Sequence, residues 1–252
     1  MIINNPTVEL LPSLKSLWKE AFGDTDQFIN VFFESVFSPY RCYCISEDGE
    51  AVAALYFFNG ECEGKKIAYL YAIATRKSHR GKGLCAALMD YTHKALYSLG
   101  YVGAILVPAS ESLFSFYERL GYKTSAFLDE ISVCASDKTT ELYEISAEEY
   151  SKKRRAMLPQ HSLIQEEESL DFLNLLMRFY AGDGFIVAIR LGEDSLSAAE
   201  FLGNIDVLPC VVSALGYKSA TVRIPGDAIP FAMFYPFLKD AVAPKYLAFA
   251  FD

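Results

Sequence analysis

Four cations and two glycines crowd one short stretch of an otherwise acidic chain. Arg76, Lys77, Arg80 and Lys82 fall within seven residues, and Gly81 and Gly83 flank the last of them. Upstream, Lys65–Thr75 reads as a strand with residues 68–74 at its apolar centre. Downstream, Leu84, Leu88, Tyr91, Ala95 and Leu99 step by three or four, which predicts an amphipathic helix closed by Gly100. A helix start presents backbone N–H groups that have no partner inside the helix, and the macrodipole makes that end positive. Glycines remove the side chains that would hold a phosphate away from those groups. The stretch predicts a cradle for a pyrophosphate or a similar polyanion. The alternative is a solvated basic turn ahead of a glycine-assisted helix start.

Other chemistries fit less well. The chain contains no G-x-x-x-x-G-K-[ST] and no G-x-G-x-x-G after the strand, so neither a P-loop hydrolase nor a Rossmann dinucleotide site is supported. Its six cysteines form no C-x-x-C, and its three histidines are scattered, which argues against zinc and for reduced, buried thiols. A net charge of −9 lacks the basic face that nucleic acid requires. The 252 residues are 52 % hydrophobic, enough for a sizeable core, yet no apolar run approaches the ~20 residues of a membrane helix. The first ten residues, MIINNPTVEL, carry neither a basic segment nor a long apolar one, so a cytoplasmic protein without a secretory signal is expected.

Around the basic loop the pattern supplies a frame. Leu10, Leu11, Leu14, Leu17, Trp18 and Phe22 recur at helical spacing up to Gly23, and Asp24 or Thr25 can cap a second helix bearing Phe28, Ile29, Phe32 and Phe33. Residues 40–46 and 51–58 read as strands joined by an Asp48-Gly49 hairpin, and Asn59-Gly60 reads as a second hairpin signal. Residues 102–107 form a short strand, residues 108–120 a loop and a helix, and residues 127–134 a further strand. Helices on a mostly antiparallel sheet, with one strand–helix–strand crossover, make an α+β (mixed α/β) domain.

Arg80-Gly81-Lys82-Gly83-Leu84-Cys85 resembles the R-x-x-G-x-[G/A] acyl-CoA signature of the GNAT superfamily of N-acetyltransferases. Residues 113–122, LFSFYERLGY, are similar to the family's xFYExxGY segment. The resemblance covers about residues 5–135 and is specific over 68–122. The sixth signature position is Cys85 rather than Gly or Ala, a residue still small enough for the helix start to approach a pyrophosphate. The resemblance implies acetyl-CoA as co-substrate, with its pyrophosphate on the backbone of Arg80, Gly81, Lys82, Gly83, Leu84 and Cys85. It also implies a pantetheine arm along the edge of Ile73, Ala74 and Thr75. Transfer would go directly to a primary amine of a small molecule or peptide. Tyr117 is implied as proton donor to the leaving thiolate and the N–H of Ile73, or of its neighbour Ala74, as oxyanion donor. Where many relatives carry a strand glutamate, this chain reads Lys66-Ile67-Ala68-Tyr69. The base is therefore sought in Glu61 or Glu63 acting through water, or in a carboxylate at Asp252, as in tandem members of the superfamily.

The expected division is a GNAT acetyltransferase domain over residues 1–137 and a smaller α+β domain over 138–252 that completes the acceptor pocket. Residues 135–160 are polar, and Lys152, Lys153, Arg154 and Arg155 read as the solvated face of a linking helix. A helix over residues 170–180 and a strand over Phe185–Arg190 follow. The segment Leu215-Gly216-Tyr217, then Ala220, Pro225, Phe231 and Phe234-Tyr235, lines up with Leu99-Gly100-Tyr101, then Ala104, Pro108, Phe114 and Tyr117. The second half is therefore expected to be a degenerate GNAT-like repeat, with a chance match of common residues as the alternative. It lacks a phosphate loop, since its corresponding stretch is taken as residues 190–194, where Glu193-Asp194 would repel a phosphate. Neither metal nor membrane is expected. An acyl-CoA sensor without turnover and an aminoacyl-tRNA-dependent transferase are the competing functions.

Overall fold

The computed structural model describes residues 2–165, 168–190 and 196–251. The chain runs β1 (Ile3–Asn4), α1 (Leu11–Phe22), α2 (Asp26–Ser35), β2 (Cys42–Glu47), β3 (Glu50–Cys62), β4 (Lys65–Thr75), α3 (Leu84–Ser98), β5 (Gly103–Leu106), α4 (Glu111–Arg119) and β6 (Lys123–Cys134). It continues with β7 (Leu142–Ile145), α5 (Ala147–Met157), α6 (Glu168–Leu176), β8 (Met177–Gly182), β9 (Phe185–Arg190), β10 (Leu196–Leu202), α7 (Leu208–Ala214), β11 (Ser219–Pro225) and β12 (Ile229–Pro236). No helix among the described residues is long and apolar enough to cross a membrane.

Two compact units result. One holds Met1–Lys123 and Phe234–Val242, the other Thr124–Met233 and Ala243–Asp252. This division breaks 14 residues before the expected 137 and returns a late segment to the first unit. The return has a cause in pairing: Phe237 N donates to Val102 O (2.8 Å), and Phe234 packs against Gly103 so closely that a Cβ there would lie 2.3 Å from its ring.

In the first unit β1, β2, β3 and β4 pair antiparallel in that order, and β5 joins β4 in parallel. Side chains on a strand alternate faces, and β3 uses both. Tyr56 packs on Trp18 of α1 and Phe32 of α2, while Phe57 stacks on Tyr43, which touches Tyr91 of α3. Helices thus cover both faces, and residues 51–58 are buried as one continuous run. Gly23 ends α1 at φ +78°, where glycine adopts the left-handed cap without strain, and Thr25 rather than Asp24 caps α2 by accepting from Phe28 N. Asn59-Gly60 is no turn. β3 continues to Cys62, with Asn59 opposite Ala68, and the chain reverses at Glu63 (φ +51°) and Gly64 (φ +70°). The Tyr101 hydroxyl donates to Asn59 Oδ1, which holds that side chain within the strand.

The second unit orders its strands β6, β11, β10, β9, β8, β7, antiparallel except for the parallel pair β10–β11. Its order, strand, two helices, three strands, helix, parallel strand, repeats that of the first. The alignment of Leu99-Gly100-Tyr101 with Leu215-Gly216-Tyr217 falls at the same place in both units. Gly100 (φ +86°) and Gly216 (φ +80°) end the crossover helices, and Tyr101 N→Leu96 O and Tyr217 N→Val212 O are both 3.1 Å. Beyond the parallel strand the alignment fails, because Phe231 and Tyr235 lie on a strand whereas Phe114 and Tyr117 lie on a helix. The helix expected over 170–180 stops at Leu176, and Met177–Gly182 is strand β8, whose alternate residues Met177, Phe179 and Ala181 are buried. Arg154 is not solvated: it is 2 % exposed. Its Nε donates to Glu200 Oε2 (2.6 Å), its NH2 to Oε1 (3.1 Å), and its guanidinium lies 4.6 Å over the Phe249 ring. Cys42, Cys44 and Cys62 are buried as expected, but Cys85 and Cys210 are half-buried and Cys134 is exposed.

Candidate active site

The loop expected to cradle a polyanion leads into a helix start, as its glycines predict. Gly81 (φ +77°) and Gly83 (φ +78°) adopt left-handed backbone, and a Cβ added at either would meet nothing within 4 Å. Gly83 caps α3, and Ala87 N donates to Gly83 O (3.0 Å). The amides of Leu84, Cys85 and Ala86 therefore precede the first intrahelical bond and point out of the helix start. Residues 80–83 are exposed.

Of the four cations, Arg76 serves the fold. Its Nε donates to Ala51 O (3.1 Å), and its NH2 donates to Ser13 O (3.1 Å) and Ser13 Oγ (3.2 Å). NH1 reaches Ser16 Oγ (3.2 Å) and Glu20 Oε2 (3.4 Å). The planar guanidinium thus pins the end of β4 to α1 and β3, a fork that a lysine could not provide. Lys77 N donates to Glu20 Oε1 (2.6 Å), which with Arg76 holds that carboxyl below its ordinary range. Arg80 Nε turns back to Thr75 O (3.1 Å). These bonds set the loop's path, and the side chains of Lys77 and Lys82 lie exposed beside it.

The neighbouring strands open next to this loop. β4 and β5 pair at Ile67–Gly103, Ala68–Ala104 and Tyr69–Ile105, and their register ends there. β4 remains bonded to β3 as far as Thr75, across a bulge in which Ala72 takes φ +47°. A left-handed alanine costs about 1 kcal/mol, so the bulge is held by its surroundings. Ile73 lies in the bulge with Ala72, and Ala74 and Thr75 follow it, on the segment that has left β5. The hydroxyl of Thr75 is buried without a partner among the described residues. An orphaned polar atom, an exposed glycine cradle and an unpaired strand edge side by side fit a long, polar, phosphate-bearing ligand.

Tyr117 lies on α4, buried to 6 % exposure. Burial, and next the Cys85 thiol, push its pKa up, so the phenol keeps its proton across the working range. Burial likewise pushes the Cys85 thiol up to about 11. The structure thus brings Tyr117 within electrostatic reach of the first turn of α3. Glu61 pairs with Lys66 at the other end of β4, seven residues from Ile73, or about 23 Å at ~3.3 Å per residue, and Glu63 lies in the turn beyond. Neither is brought to the loop. Asp252 lies outside the described residues, as do Glu193 and Asp194. The topological counterpart of the basic loop is not 190–194 but 203–207, between β10 and α7, where Asn204 caps a short turn and Asp206 replaces any cation.

Sequence reasoning missed the clamp made by Arg76, which looked like one more cation, and the bulge at Ala72, for which no residue type gives a signal. It also missed His93, whose Nε2 lies 2.7 Å from the Tyr122 hydroxyl.

The family model of the GNAT acetyltransferase domain matches residues 3–125. Among curated proteins no sequence matches. The fold is similar to that of a GCN5-related N-acetyltransferase from Kribbella flavida, with TM-score 0.71 and 14 % identity over 93 % of this chain and 71 % of that one. It is also similar to one from Anabaena variabilis, with TM-score 0.73 and 13 % identity over 92 % and 72 %. The glycine-launched helix, the bulged strand leaving its parallel neighbour and the family model agree: residues 3–125 match the GNAT acetyltransferase domain.

Proposed function

We propose that the protein transfers an acetyl group from acetyl-CoA to a primary amine of a small molecule or peptide. The observation that carries this reading is the start of α3: exposed Gly81 and Gly83 with left-handed backbone, directly after a strand that has parted from its parallel neighbour. The amides of Leu84 and Cys85, with Lys82 and Arg80, would hold the pyrophosphate. The edge of Ile73, Ala74 and Thr75 would pair with the pantetheine arm, and acetyl-CoA supplies the acyl group as an activated thioester.

For the chain's own residues three tasks follow. The Ile73 or Ala74 amide donates to the oxygen that becomes negative as the amine attacks. Tyr117, protonated at all working pH values, gives its proton to the departing sulfur. For the base, the carboxylate at Asp252 is the proposed group, in place of Glu61 and Glu63. The second unit, with the same element order and an acidic turn in place of the cradle, is proposed as a degenerate GNAT-like half without a coenzyme site of its own.

Calorimetry with CoA, followed by thiol release from acetyl-CoA over an amine panel, tests the reading. Binding at one site per chain and release with a subset of amines is expected. Binding without release on any acceptor would instead favour the acyl-CoA sensor, which Cys85 in the signature and the carboxylate-free stretch Lys66–Tyr69 make the second reading. Retention of tRNA at low salt would favour the aminoacyl-tRNA-dependent function.

A further inference from the structure

We infer that His93, Tyr122 and Tyr235 form a bracket that positions Tyr117, and that Tyr235 makes the late segment Phe234–Val242 part of the catalytic unit. The inference rests on the acetyltransferase reading above. Tyr122 holds Tyr117 twice: its N–H donates to Tyr117 O (3.1 Å), and its ring meets the Tyr117 ring edge-on at 5.8 Å. The chain reverses between them at Gly121 (φ +92°), a conformation that favours glycine. The Tyr122 hydroxyl is in turn anchored 2.7 Å from His93 Nε2, on the helix whose start forms the cradle. His93 stacks on Tyr235 with centroids 4.3 Å apart and planes at 22°, and Tyr235 lies 5.4 Å from Tyr122. A Cβ at Gly121 would come 2.9 Å from the Tyr235 ring, so Tyr235 presses on the turn itself.

The arrangement ties the donor's backbone and ring to α3, the element that would fix the coenzyme. A phenol–imidazole bond is also more than apolar packing requires, since a phenylalanine and a leucine would fill the same space without two polar atoms to satisfy. Burial pushes His93 down to about 4, against the opposing charge of Asp90, so at neutral pH the imidazole is uncharged and Nε2 can accept from the phenol. A misplacement of about 1 Å in a reacting group can cost up to ~100-fold in rate, so such a bracket bears on turnover rather than on affinity. All three are positioning residues.

The test is a double-mutant cycle in the full-length protein. Tyr122→Phe, His93→Gln and Tyr235→Leu are each made alone and in a Tyr117→Phe background. Thiol release from acetyl-CoA is measured with water or an accepted amine, and CoA affinity by calorimetry. Each single change should lower kcat about tenfold with CoA affinity within about twofold, and should cost less than about twofold more once Tyr117 is phenylalanine. Tyr235→Phe, which keeps the stacking face, should recover most of the loss. Equal losses in both backgrounds, or full turnover in Tyr122→Phe, would overturn the bracket. Should Tyr122→Phe fail to fold, the half-buried His93→Gln completes the same cycle. Loss of CoA binding by the wild type refutes the acetyltransferase reading itself. Binding without any thiol release removes the acid role of Tyr117, and the bracket with it.

Discussion

A buried phenol with a raised pKa stays protonated, which suits the role of acid proposed for Tyr117. Tyr117→Phe should lower kcat by about 100-fold, at the low end of what general-acid catalysis supplies, with KM for acetyl-CoA little changed. Steady-state kinetics on a responsive amine checks both. His93 sets a different pH dependence. Its folded pKa of about 4 lies below the unfolded 6.5, so between those values the unfolded chain binds more protons and stability falls as pH drops. The loss should reach at most about 3 kcal/mol at pH 4 and vanish above pH 7. Urea titrations at several pH values should show this slope in the wild type and a flatter one in His93→Gln. Tyr117 was legible because it sits in a segment of recognisable residue order. His93 was not, because its role depends on a phenol 29 residues away and on a ring from a distant segment.

At the scale of elements the sequence carried what local chemistry decides. Gly23, Thr25 and Gly100 act where caps are expected, and the loop before α3 is where charge and glycine placed it. Gly83→Ala tests that loop. A side chain forced to φ +78° costs about 1 kcal/mol whatever the space around it, so the variant should lose several-fold in CoA affinity while its melting temperature moves little. Calorimetry beside thermal unfolding separates the two effects. What local chemistry leaves open, tertiary pairing settles. Asn59-Gly60 has the composition of a hairpin, but β4 offers a register that continues past it, and Met177–Gly182 leaves a helical pattern to pair with β7 and β9. The bulge at Ala72 is invisible in sequence for the same reason: it arises from a mismatch of one residue between two strands.

For the molecule as a whole, two units with one element order differ in how they treat polar groups beside their bulges. In the first unit the Thr75 hydroxyl, after the bulge in β4, has no partner among the described residues. In the second, Glu200 follows a register shift in β10 and is held by Arg154 and by the Tyr150 hydroxyl (2.9 Å). Arg154→Met would leave that carboxylate buried without its cation. It should cost about 3–5 kcal/mol in urea unfolding, most of it recovered by adding Glu200→Gln. The basic run at 152–155 could not reveal this, since only the fold distinguishes a cation facing water from one facing Glu200. The return of Phe234–Val242 to the first unit has a consequence for synthesis. About 110 residues separate that segment from Lys123, the last residue of the same unit before it. At roughly 5–20 residues per second, the ribosome needs some 6–20 s to deliver them. Through that interval the strand that borders β5 is missing, so the first unit can close only after residues 234–242 have left the ribosome.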